Sequence, residues 1–308
     1  MRTGSFLSLS PHAFHRIAFT EWGKPDHEQV LLCVHGLTRN GRDFDCLATN
    51  LETHYRVICP DVAGRGRSEW LDVKEDYNYP TYCADIAALI ARLHTEQVDW
   101  VGTSMGGIIG MLLAAQPNAP VRRLVINDIG PFIPRTALER IGQYLGAGPH
   151  FDSLTDAASY LRHVHAGFGP LTDDQWVHLA RHSVHHATGG QYSLMYDPAI
   201  ALPFKTEPMQ DINMWDTWER IRCPVLVLRG IESDVLLEET AAEMQTRGPP
   251  TEVVQFRDIG HAPALMAKDQ IDIIQLQPFK CSVGSFDNMF AGQAAPIWPR
   301  HGRCENLA

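Results

Sequence analysis

The chain has 308 residues, enough for one large domain, two ordinary ones, or one core with an insertion. A composition of 44% hydrophobic and 20% charged residues excludes a chain disordered throughout. The net charge of -10 argues against nucleic acid and anionic membrane as partners, and no apolar run approaches the roughly 18 residues of a membrane span.

Met1 to Ser10 lacks the basic-then-apolar pattern of an export signal. The seven cysteines form no C-x-x-C pair. They read as reduced thiols of a cytoplasmic protein.

Short apolar runs follow in chain order: Val30–Val34, Arg56–Cys59, Val98–Gly102, Leu124–Ile126, Val225–Leu228 and Val253–Phe256. Each is bounded by Gly, Pro or Asp and reads as a strand buried on both faces. Helix patterns lie between them, at about 41–52, 81–94, 106–116, 239–247 and 262–276. Alternating strand and helix predicts a mostly parallel α/β sheet flanked by helices.

The alternation stops between about Gly130 and Trp215. That stretch is helix-like and punctuated by prolines, and the strand pattern resumes at Val225. Residues 131–215 therefore read as a helical cap inserted into a core of 1–130 and 216–276. The tail, 277–308, has no amphipathic element and reads as irregular.

The strongest local feature is Gly102-Thr103-Ser104-Met105-Gly106-Gly107, after one apolar run and before a helix. G-x-S-x-G in that context puts a serine on a sharp strand-to-helix turn, with its hydroxyl exposed at the sheet edge. Acyl transfer also needs two backbone N–H groups aimed at the developing oxyanion. Met105, just past the serine, and Leu37, in His35-Gly36-Leu37, are placed to supply them. His35 itself reads as a loop pin rather than a base.

A serine nucleophile needs a base, and the base needs an orienting carboxylate. His261, in Gly260-His261-Ala262-Pro263 after the last apolar run, is the expected base. Asp234 after Val225–Leu228 is the expected acid. Asp128, after Leu124–Ile126, is a competitor because it also ends a strand. Glu232 lies two residues from Asp234, and Asp258 is too close in sequence to His261 to reach its ring.

These motifs, HGL at 35–37, PDVAGRGRS at 60–68, GTSMGG at 102–107, SD at 233–234 and GHAP at 260–263, together resemble the α/β-hydrolase superfamily. The likeness is to its branch of small capped esterases, lactonases and carbon–carbon bond hydrolases, and it covers about residues 12 to 276. It implies a Ser104–Asp234–His261 triad and a serine carboxylesterase for small to medium apolar esters. Hydrolysis of carbon–carbon bonds in ring-cleavage products, or of intracellular hydroxybutyrate oligomers and lactones, are the other enzymatic readings. A hydrolase-fold binding protein is the non-enzymatic one. The resemblance calls for no cofactor, a small-molecule ester as partner, and a monomer or homodimer.

Three secondary features complete the reading. Arg39, two residues past the oxyanion position, is a possible handle for a substrate carboxylate. Among the large apolar residues of the insertion, Phe132, Met214 and Trp215 are assigned to the substrate pocket. His178 and His182, spaced i, i+4, have no third ligand nearby in sequence, so no metal is expected.

Overall fold

The computed structural model describes residues 1–187, 189–206 and 208–276. The irregular tail expected at 277–308 lies outside the described residues. Eight strands form one sheet: β1 (Arg2–Leu9), β2 (Phe14–Trp22), β3 (Val30–Val34), β4 (Arg56–Pro60), β5 (Val98–Thr103), β6 (Val121–Asn127), β7 (Val225–Gly230) and β8 (Thr251–Phe256). Their spatial order is β1-β2-β4-β3-β5-β6-β7-β8. From β4 to β8 every pairing is parallel, whereas β2 is antiparallel to both β1 and β4.

The six sequence-predicted runs are β3 to β8; β3 keeps its expected bounds and the other five are extended by one to three residues at an end. The β1–β2 hairpin carries no such run. In β1 only alternate residues near its end are buried, so its hydrophobic signal is half that of a two-sided strand.

Helices α1 (Asp45–Leu51), α2 (Tyr79–Arg92) and α3 (Met105–Ala114) follow β3, β4 and β5, and α10 (Lys268–Leu276) closes the described chain. Alternate residues of β3 show why its run is wholly apolar. Leu32 and Val34 join the layer containing Ile86 and Leu89 of α2 and Ile109 of α3. Leu31 and Cys33 join Leu47 and Leu51 of α1 and Ile271 of α10 in the opposite layer. Both faces of the sheet are therefore dry.

Between β6 and β7 the chain leaves the sheet. It forms α4 (Arg135–Tyr144), α5 (Leu154–Val164), α6 (Asp173–Ser183), α7 (Leu202–Thr206) and α8 (Trp215–Trp218). Helix α9 (Glu238–Met244) follows β7. Two-stranded pairing of Phe132–Ile133 with Ile212–Asn213 ties the two ends of this insertion together. Main-chain bonds seat it on the core: Gly66 N donates to Met195 O at 2.7 Å, and Asp197 N donates to Gly64 O at 2.8 Å. Asn40 Nδ2 adds a bond to His182 O at 2.8 Å.

The turn from β5 into α3 is the tightest packing in the sheet. A Cβ on Gly106 would stand 1.9 Å from Val34 O, and one on Gly102 would stand 2.3 Å from Gly106 O. Both obstacles are backbone and cannot rotate away. Gly106→Ala is expected to destabilise the fold by about 1–3 kcal/mol through overpacking. Calorimetry measures this as a lowered melting temperature, and activity falls with it.

Candidate active site

Ser104 sits between β5 and α3 with φ 51° and ψ -115°, a conformation L residues rarely adopt. The turn holds because Ser104 N donates to Asn127 O at 2.9 Å, while its own carbonyl accepts from Gly107 N at 2.8 Å and Ile108 N at 3.1 Å. Ser104 Oγ lies 2.9 Å from His261 Nε2, and His261 Nδ1 lies 2.8 Å from Asp128 Oδ2.

The acid at His261 is thus Asp128, and not Asp234 as the sequence pattern suggested. Asp234 faces outward at the edge of the insertion. There it makes a bidentate ion pair with Arg140 of α4, at 2.5 and 2.8 Å. The physical reason lies in the sheet. Strands β6 and β7 are parallel neighbours, with Asn127 opposite Leu228, so residues just past either strand reach the same place. Here Asp128 takes the position and Ser233 supports it. Ser233 Oγ donates to Asp128 Oδ2 at 2.5 Å and accepts from the amides of Val235 and Leu236. Gly230 N donates to Asp128 Oδ1 at 2.8 Å. A fully buried carboxylate needs such compensation, and Ser233 Oγ, Gly230 N and His261 Nδ1 supply it. Among the described residues the His261 ring is hydrogen-bonded to Asp128 and Ser104, and not to Glu232 or Asp258.

Leu37 and Met105 line the same cavity as Ser104. Met105 is the first residue of α3, whose leading N–H groups have no acceptor within the helix. Arg65, unremarked in the sequence, holds both residues. Its Nε donates to Leu37 O at 3.0 Å, and its Nη2 lies 3.7 Å from Met105 Sδ. It is fully buried and has no carboxylate partner among the described residues, being held instead by Ala63 O, Tyr82 Oη and the Tyr77 and Tyr82 rings. Its partners Leu37, Tyr77, Tyr82 and Met105 are distant in the chain, so the sequence alone gives no signal for this role.

The cavity measures about 700 Å³ and is lined by both core and insertion. Ile133, Leu138, Ile141, Tyr144 and Phe168 of the insertion make its wall largely apolar. Arg39 lines it too. Phe132, Met214 and Trp215 do not line it. Phe132 belongs to the pairing at the base of the insertion, and Met214 N donates to Pro131 O at that base. Trp215 is buried under Arg247, whose Cζ lies 4.7 Å from the ring centroid. Those three mark the junction of the insertion with the core, where large apolar side chains are equally useful.

Arg39 is nearly buried. Its Nε and Nη2 donate to the Asp43 carboxylate at 2.8 and 2.6 Å, and its Cζ lies 6.0 Å from the Phe168 ring centroid. The remaining nitrogen, Nη1, has no hydrogen bond to a described residue. His165 also lines the cavity, stacked on Phe168. Burial and then the neighbouring Arg39, His261 and Arg140 charges hold it well below the usual histidine range.

Comparison with known proteins agrees with this architecture. The model of the alpha/beta hydrolase family matches residues 31–272, well over half of the chain. The chain belongs to that family, and it is a hydrolase of the α/β type. It is 47% identical over 280 residues to a 3-hydroxybutyrate-oligomer hydrolase of Cupriavidus necator, covering 88% of this chain and 96% of that protein. It is 26% identical over 234 residues to a 2-(acetamidomethylene)succinate hydrolase of Mesorhizobium japonicum, covering 75% and 81%. The crystal structure of an alpha/beta hydrolase from Novosphingobium aromaticivorans superposes with a TM-score of 0.79 at 35% identity, covering 89% of this chain and 97% of that one.

His35 is the loop pin. Its Nδ1 lies 2.7 Å from Gly36 O, which leaves Nε2 to accept from Val62 N at 2.9 Å. Complete burial, with Arg65 and Arg39 adding to it against the Gly36 bond, lowers its pKa to about 3. The unfolded chain binds a proton at this residue below about pH 6.5 and the folded chain does not until about 3. Stability is therefore present above 6.5 and falls as pH drops, by about 1.4 kcal/mol per pH unit for this one proton. In urea titrations between pH 7 and 5, His35→Gln is expected to flatten the slope by one proton's worth. An unchanged slope would mean that His35 is protonated in the fold.

Proposed function

We propose that the protein is a serine esterase that cleaves oligomers of 3-hydroxybutyrate through an acyl-enzyme. The observation that carries this reading is Arg39. A guanidinium with an unused N–H pair stands in a cavity whose wall is largely apolar, on the loop that turns past Ser104, whereas the other arginine of the lining, Arg140, is paired with Asp234. A short hydroxyacid ester is apolar along its length and ends in a carboxylate, which such a group would hold. The extensive similarity to a 3-hydroxybutyrate-oligomer hydrolase supports the same choice over a general carboxylesterase for neutral esters.

In this mechanism His261 Nε2 removes the Ser104 proton as Oγ attacks the ester carbonyl. The Leu37 and Met105 amides receive the oxyanion, each worth about 3–4 kcal/mol in reactions of this type. His261 then returns the proton to the departing 3-hydroxyl. Water, deprotonated by the same imidazole, attacks the acyl-enzyme and restores Ser104. Asp128 holds the Nδ1–H tautomer and supports the imidazolium. The insertion acts as a cap over these steps, and the reaction needs no cofactor. The free cysteines of the described residues fit the cytoplasmic setting in which intracellular oligomers occur. No helix among the described residues is long and apolar enough to cross a membrane.

The decisive experiment incubates the enzyme with 3-hydroxybutyrate trimer and follows monomer by chromatography. Wild type releases monomer and Ser104→Ala does not. Absence of release by folded wild type would overturn the substrate. Asp128→Asn is expected to cost about 10⁴ in kcat, by analogy with loss of the correct tautomer. Asp234→Asn breaks only a half-exposed ion pair and should cost less than about tenfold. The reverse ranking, on p-nitrophenyl butyrate, would return the acid role to Asp234. Arg39→Met should lower the ratio of kcat/KM for trimer over p-nitrophenyl butyrate by about 10- to 100-fold, the worth of a charged hydrogen bond. A constant ratio would remove Arg39 from recognition.

A further inference from the structure

The seam between core and insertion brings together three groups far apart in the chain. Asp45 opens α1 on the core, while His178 and His182 lie one turn apart on α6 of the insertion. One ligand atom from each lies within 4.8 Å of the others, and all three residues are half-buried. Among the described residues this is the one group of three or more His, Cys, Asp and Glu side chains so placed. The sequence offered only the histidine pair.

The spacing has a specific meaning. His178 Nε2 lies 3.3 Å from Asp45 Oδ2. Two ligands on a tetrahedral ion at about 2.0–2.1 Å are separated by about 3.4 Å. The His178 and His182 rings are 4.7 Å apart between centroids, so both can turn toward one point. We propose that Asp45, His178 and His182 form a transition-metal site, of the zinc or cobalt class, that clamps α6 to the core.

His178 Nε2 also lies 3.5 Å from Arg42 O, and the ion would sit between that nitrogen and Asp45 Oδ2. Three protein ligands leave one position for water, which the half-buried seam admits. Arg42 also contacts the Asp45 carboxylate, through Nε at 2.8 and 3.0 Å and Nη2 at 2.5 Å. A carboxylate has about four lone-pair sites, so Arg42 remains as the outer partner that orients a ligating oxygen. The clamp has a route to the cavity. Asp45 is two residues beyond Asp43, which holds Arg39, and Asn40 of the same turn already bonds His182 O. An ion here stiffens the turn from which Arg39 reaches the cavity.

The test is a calorimetric titration of metal-free full-length protein with zinc chloride, with thermal melts at each end point. One equivalent is expected to bind and to raise the melting temperature by a few degrees. His182→Ala, His178→Ala and the shape-conserving Asp45→Asn should each weaken binding at least tenfold and abolish the thermal shift. Cobalt should give the visible absorption of a tetrahedral ion in wild type and lose it in each variant. None of the three residues belongs to the hydrolytic site, so retained p-nitrophenyl butyrate hydrolysis without metal verifies that the variants fold. Binding that is equally tight in the variants would assign the metal to other histidines and overturn the proposal. So would the absence of binding at millimolar zinc.

Discussion

The site depends on one backbone constraint, the left-handed turn at Ser104. A serine with φ 51° is costly, and the surrounding structure holds it there. Gly102 and Gly106 have no room for a Cβ, so the loop after β3 can lie against the start of α3. That approach sets Leu37 beside the helix N-terminus and puts Oγ clear of its own strand. It also aims Oγ toward the loop after β8, where His261 waits. Replacing the turn by a relaxed one would separate the serine from every group it works with.

Around that turn the protein solves a second problem, that of keeping charges in a dry place. Asp128 is compensated by a backbone amide, a serine hydroxyl and an imidazole. Arg65 is compensated by carbonyls and aromatic faces instead of an anion. His35 and His165 respond differently and stay neutral. Four ionisable groups near one cavity thus meet burial by three means: local donors, local acceptors, and loss of charge. The division leaves His261, bonded to an acid on one side and a hydroxyl on the other, as the imidazole arranged to carry a proton.

Strands β3 to β7 were legible because strands buried on both faces must be largely apolar; β8 lies at the sheet edge and, contrary to the expectation for Val253–Phe256, is only partly buried. The serine turn and the base were legible because each follows a strand with residues chosen for geometry. The acid was misread because parallel neighbours β6 and β7 end side by side. Asp128 and Asp234 offer equivalent positions in the chain, and only the direction of Asp234 toward Arg140 separates them. Phe132, Met214 and Trp215 were misplaced because burial against a neighbouring layer and burial against a substrate require the same side chains. Arg65 and Asp45 were invisible because their partners lie in other parts of the chain.

The seating of the insertion has a consequence for how such an enzyme changes over time. Two of its attachments, Gly66 to Met195 and Asp197 to Gly64, join main-chain atoms. Exchanging side chains on either loop leaves those donors and acceptors in place, unless proline removes an N–H. The wall facing Ser104 is lined by residues such as Ile133, Leu138, Ile141 and Phe168, whose side chains set its shape and chemistry. Mutation can therefore redraw the interior of the cavity while the vault above it keeps its footing, so substrate preference can drift without loss of the enclosing architecture.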